Sequence, residues 1–192
     1  DLQFAQSLVE VMLEKFEDPQ AGGFFFTASD HEQLIHRSKT FSDDSLPSGN
    51  GVAVSLLCRL GYLLGDTRYL RAAERTLQSA WPLLAQYPQA HMSLVNSLED
   101  TLAEMQILII RGPEAQATAW ARQLGAMYAP TRMIFAIPND ASDLPPALSQ
   151  KRGTDGSVAY LCNGMTCSAP LGDLDAISAA MRRLSSPKEP SP

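Results

Sequence analysis

Gly51-Val52-Ala53-Val54-Ser55-Leu56-Leu57-Cys58-Arg59-Leu60-Gly61-Tyr62-Leu63-Leu64 decides the fold. Its apolar residues fall on nearly every side of a helical wheel, which is the pattern of a helix sheltered on most faces. Gly65 stands where a helix-ending glycine belongs, and Asp66 is placed to cap the next helix. That helix, residues 67–85, carries a narrower stripe of Leu70, Ala73, Leu77, Ala80, Trp81 and Leu84. Upstream, Ala5, Leu8, Val9, Met12, Leu13 and Phe16 recur at helix spacing until Asp18-Pro19 stops them. Downstream, residues 91–105 repeat the wide pattern with Leu94, Val95, Leu98 and Leu102. Sheltered and one-sided helices therefore alternate. Antiparallel α-hairpins of a toroid show this alternation, with inner helices lining the centre. An ordinary helical bundle shares the same periodicity.

Between the first two helices, Gly22-Gly23 opens Phe24-Phe25-Phe26-Thr27, and Gln33-Leu34-Ile35-His36 follows. The spacing predicts a short β-hairpin turning at Ser29-Asp30-His31. A polar loop spans 37–50. After Met105 the pattern changes to strand (106–110), helix (115–127, opened by Pro113-Glu114) and strand (131–137). A loop (138–150), a strand (157–161) and a helix (173–184) complete an α/β layer whose first strands are expected to be parallel. The expected division is 1–105 for the incomplete helical part with hairpin and polar loop, 106–184 for a terminal α/β segment, and 185–192 for a disordered tail. That tail holds three Pro and three Ser.

With 192 residues, the chain is long enough to bury a core without disulfides or metal. Its apolar share of 45% and charged share of 19% exclude a disordered chain. The net charge of −6 argues against nucleic acid as a partner, because phosphate binding needs a basic stripe. No apolar run approaches the roughly 18 residues that span a membrane, so no membrane partner is expected. The chain opens on Asp1 rather than Met and shows no leader, so it is expected to start at a cut or a processing site. Three cysteines are not a disulfide framework, and a reducing, cytoplasmic setting is expected.

The polar loop is the first candidate for chemistry. Arg37, Lys39, Ser48 and Asn50 could orient a polyhydroxylated ligand, with Asp43 as general acid or base. The competing reading is structural: Ser48 or Asn50 caps the next helix, and Asp43 pairs with Arg37 or Lys39. Cys162 and Cys167 are the second candidate. They can meet across a turn as a disulfide or as half of a metal site, or serve as a structural brace. His31, His36 and His91 lie far away in sequence, so no metal is expected, and no cofactor motif is present.

The ordered set Gly22-Gly-Phe-Phe, Leu34…Arg37-x-Lys39, Asp43-x-x-x-Pro47-Ser48-Gly49-Asn50, Leu57-x-Arg59-Leu60 and Gly65-Asp66-x-x-Tyr69 resembles one family. It is similar to the C-terminal part of thioredoxin-domain-containing proteins of the YyaL and spermatogenesis-associated type. Ala159-Tyr160-x-Cys162-x4-Cys167-x-x-Pro170 is similar to the closing motif of that family. Two positions depart: Ser45 stands where Ala is usual, and Gly51 where Ser is usual. The resemblance implies a thioredoxin-like domain preceding an (α/α)6 toroid similar to N-acylglucosamine 2-epimerases and six-hairpin glycosidases. This chain would then be a C-terminal fragment: about four toroid helices and a β-hairpin, mainly α, followed by a small α/β segment. It implies carbohydrate binding, with epimerase-, isomerase- or glycosidase-like activity if active. The alternative is a non-catalytic platform for the thioredoxin-like domain. An incomplete toroid is also expected to leave Val54, Leu57 and Leu98 partly exposed along a broken edge. That edge would meet the remainder of the parent protein or a second copy.

Overall fold

The computed structural model describes residues 1–32, 35–103 and 105–185. Two compact units emerge, Asp1–Ala103 and the residues from 104 onward. Among the described residues the fold is mainly helical, with seven α-helices and one small mixed sheet.

The first unit holds α1 (Leu2–Phe16), α2 (Gly49–Leu64), α3 (Thr67–Gln86) and α4 (Met92–Leu102), with a 3-10 turn at Pro88–Ala90. The α2 helix packs on both α3 and α4. Burying its wide apolar face drives the packing, since each fully buried Leu or Val contributes about 1.5–3 kcal/mol. Val54, Leu57, Ala73, Ala80 and Leu94 form that core. Glu10 of α1 accepts the Tyr69 hydroxyl of α3 at 2.6 Å, tying the first helix to the third.

Several expectations are corrected here. Val54 and Leu57 are not at an exposed edge, because α3 and α4 cover them. Leu98 is half-buried and lines an open groove, which matches the partial exposure expected of it. Exposed apolar residues of these helices include Phe4, Leu8, Val52, Trp81 and Leu102, the last 78% accessible. Four helices do not close a ring. No hairpin forms at Phe24 either: among the described residues, Phe24 makes an isolated antiparallel bridge to Glu17, and Ile35 is fully exposed. The Phe24 N–H and carbonyl bond to the Asn50 amide, and the Phe26 N–H donates to the Ser38 carbonyl. Gln33 and Leu34 lie outside the described residues, as does the expected tail beyond Ser185.

In the second unit β1 (Gln106–Gly112), α5 (Glu114–Gly125) and β2 (Arg132–Pro138) make a parallel crossover. A short helix, α6 (Pro146–Ser149), interrupts the loop that leads to β3 (Val158–Asn163). An edge strand, β4 (Thr166–Cys167), and α7 (Leu174–Ser185) follow. Strand order is β2-β1-β3-β4, and β3 runs antiparallel to both neighbours. Leu108 and Ile110 of β1 and Leu161 of β3 meet Leu124 of α5 and Ile177 and Met181 of α7 in one core.

The α2 and α4 helices approach closely at Gly51 of α2. A Cβ there would lie 2.7 Å from the Ser93 Cβ. Replacing a helical Gly by Ala normally gains about 1 kcal/mol, but overpacking of this kind costs about 1–3 kcal/mol. Gly51→Ala is therefore expected to lower stability in urea denaturation. In a Ser93→Gly background the same change is expected to cost less, because only the backbone of residue 93, 3.0 Å away, then remains in contact.

Candidate functional site

The loop before α2 is built around side chains that satisfy the backbone. Ser48 is the N-cap of α2: its Oγ accepts the Gly51 N–H at 3.0 Å. Asn50 is buried. Its Oδ1 accepts the Phe24 N–H at 2.7 Å, and its Nδ2 donates to the Phe24 and Thr40 carbonyls. One amide thus closes a loop of 26 residues. Breaking it would orphan buried backbone groups at about 1–3 kcal/mol each.

Asp43 is bound still more tightly. Its carboxylate accepts the Ser48 N–H at 2.8 Å, the Ser93 N–H at 2.8 Å and the Ser93 hydroxyl. The α4 helix starts after His91 without a side-chain cap of its own, so Asp43 caps it from 50 residues away. Burial pushes the Asp43 carboxyl up, but the Ser93 hydroxyl and the Ser93 and Ser48 N–H groups outweigh it and hold the group below its ordinary value. An anion held in this way is a weak proton acceptor.

The two cations are spent as well. Arg37 stacks over the Phe25 ring at 4.1 Å and donates to the Lys15 and Thr27 carbonyls, closing the C-terminal end of α1. Lys39 pairs with Asp18 at 2.8 Å and donates to the Gly22 carbonyl. The Ala21 N–H first, and Lys39 second, hold the Asp18 carboxyl below its usual range.

Beside this knot lies a cleft of about 390 Å3 lined by Phe16, Phe24, Phe25, Asp44, Ser48 and Asn50, among others. Ser48 and Asn50 face it; Arg37, Lys39 and Asp43 are not among its lining residues. Asp44, which sequence reasoning passed over, lines it with a carboxylate that has no hydrogen bond or ion pair among the described residues. Ser93 was also missed; the signal was the lack of a capping residue before α4. Gly51 and Ser93 are linked in space, since the Ser93 side chain fills the place of a side chain at 51. That is a physical reason for Gly where Ser is usual.

Cys162 and Cys167 are bonded as a disulfide across β3 and β4. The two cysteines thus meet across the turn between β3 and β4. Among the described residues no three His, Cys, Asp or Glu side chains gather as a metal site, and no helix is long and apolar enough to cross a membrane.

No protein-family model matches the chain. It is 26% identical over 180 residues to spermatogenesis-associated protein 20 of Homo sapiens, covering 90% of this chain. The chain spans about a quarter (23%) of that protein's length. The likeness is to the spermatogenesis-associated type that the loop and closing motifs resemble.

Asp43 gives a testable pH dependence. Its folded-state value is lowered, so its contribution is present above the unfolded value of about 3.9 and lost as pH falls through the folded value. Asp43→Asn is expected to cost about 2 kcal/mol near neutral pH. The variant is also expected to lose less further stability on acidification than the parent, as followed by urea midpoints across the acid range.

Proposed function

We propose that this chain is the C-terminal portion of a thioredoxin-domain-containing protein, and that its helical unit is part of an (α/α)6 toroid. The cleft beside the polar loop binds a carbohydrate-like polyol. The observation that carries this reading is an aromatic wall, Phe16, Phe24 and Phe25, set against the free carboxylate of Asp44. Sugar rings present apolar faces to aromatics and hydroxyls to carboxylates, and pockets of this size suit small ligands. Among the sequence candidates, Ser48 and Asn50 shape the cleft edge, whereas Arg37, Lys39 and Asp43 hold the loop that forms it.

A glycosidase needs two carboxylates flanking the scissile bond. Among the described residues that line the cleft, Asp44 alone supplies one. Binding, or isomerisation with Asp44 as the single base, fits this lining better than glycoside hydrolysis.

A second observation favours the platform alternative. A groove of about 530 Å3 between α2, α3 and α4 is lined by Tyr62, Leu70, Leu77, Trp81, Leu98 and Leu102, with Trp81 55% exposed. Exposed apolar surface of this kind marks contact sites. The remainder of a longer protein, or a second copy, would cover it.

Saturation-transfer NMR with a panel of monosaccharides and sugar phosphates tests the first reading. Binding is expected, and Asp44→Asn is expected to weaken it about tenfold or more, roughly the value of one hydrogen bond to a charged group. Binding that survives both Asp44→Asn and Phe25→Ala would move the site elsewhere. A chain that binds no sugar and self-associates in light scattering would favour the platform.

A further inference from the structure

The β3–β4 hairpin carries a disulfide that its own fold does not need. Gly164-Met165 forms the two-residue turn, with Gly164 at a φ of +56° as the first central residue of such a turn requires. On one side β3 is paired with β1 from Asn163 through Val158. Beyond β4, the Ser168 N–H donates to the Leu161 carbonyl at 2.9 Å. Ala159 and Leu171 exchange two further backbone hydrogen bonds, at 2.9 and 2.8 Å. Turn, ladder and bridge therefore hold Cys162 opposite Cys167 whether or not the sulfurs are joined.

The bond closes a loop with a sequence separation of only 5. In the chain-entropy account so short a loop gains little from closure compared with a long one. Because the turn already closes the hairpin, the gain here is smaller still. The two residues are also unequal in exposure. Cys162 is buried at 4% exposure, whereas Cys167 sits on the two-residue edge strand in an exposed run from Met165 to Pro170.

We propose that Cys162 and Cys167 form a thiol–disulfide exchange site for an external dithiol, with Cys167, the exposed residue of the pair, as the point of attack. The inference stands apart from the sugar cleft. A thiolate of the dithiol attacks Cys167 Sγ and forms a mixed disulfide. The Cys162–Cys167 bond breaks, and its electron pair leaves on the Cys162 sulfur, which takes a proton. The second thiol of the dithiol then displaces Cys167 as a thiol and leaves the dithiol as its own disulfide. Two electrons pass to the hairpin, and the reverse sequence returns them. Cys58 takes no part: it is buried in α2, and burial pushes its thiol up to about 12.

The test uses the whole chain with dithiothreitol, in native buffer and in concentrated urea, with iodoacetamide quenching and peptide mass spectrometry. Native reduction is expected within about tenfold of the rate in urea, since access controls exchange. Cys58 is expected to stay unmodified in native buffer, and circular dichroism of the reduced protein to stay unchanged. A second arm compares single variants treated with glutathione disulfide. Cys162→Ser, which leaves Cys167 free, is expected to form the mixed disulfide at least about tenfold faster than Cys167→Ser. Native protection of about hundredfold or more, loss of structure on reduction, or equal rates for the two variants would overturn the proposal.

Discussion

One carboxylate holds two helix starts in place. A helix N-terminus leaves four N–H groups without internal partners, and α4 has no local side chain to serve them. Asp43 supplies the missing acceptor across 50 residues and also takes the Ser48 N–H at the start of α2. Ser93 donates twice to that carboxylate and pairs with the Ser48 hydroxyl at 3.0 Å. The position of α4 against α2, and with it the close approach at Gly51, follows from this charge. Asn50, the second residue of α2, then ties the Phe24 backbone to the same place.

This arrangement changes what the polar loop can do. A loop rich in cations, carboxylates and amides reads as a ligand site because its groups are imagined free. In the folded protein Arg37, Lys39, Asp43, Ser48 and Asn50 are bonded mainly to backbone and to neighbouring helices. Their effect on function is indirect: they hold the aromatic wall and present Asp44. The bonds that satisfy the loop also set the shape of the cleft.

The helices were legible because periodicity is a local property. Residues 51–64 lie within α2, Gly65 ends it and Asp66 caps α3. The parallel pairing of β1 and β2 was legible from a strand–helix–strand order. What escaped the sequence depended on contacts between distant segments. Phe24-Phe25-Phe26 has strand character, yet its backbone bonds go to Asn50, Phe16 and Ser38 rather than to a hairpin partner. Trp81 and Leu102 fit apolar stripes but face outward, because the four helices do not enclose them. The β4 strand, two residues long, is too short for any alternation to register. Asp43 and Asp44 are adjacent in sequence, and the bonds from Ser48 and Ser93 to Asp43 separate them in the fold.

The central claim is that Asp43 and Ser93 act as one structural unit. A double-mutant cycle on Asp43→Ala and Ser93→Ala, read by urea denaturation, tests it most directly. A hydrogen bond to a charged group contributes about 1.5–3 kcal/mol, so a coupling of at least about 1 kcal/mol is expected. A coupling within about 0.3 kcal/mol of zero would mean that the two side chains act independently, and would contradict the account.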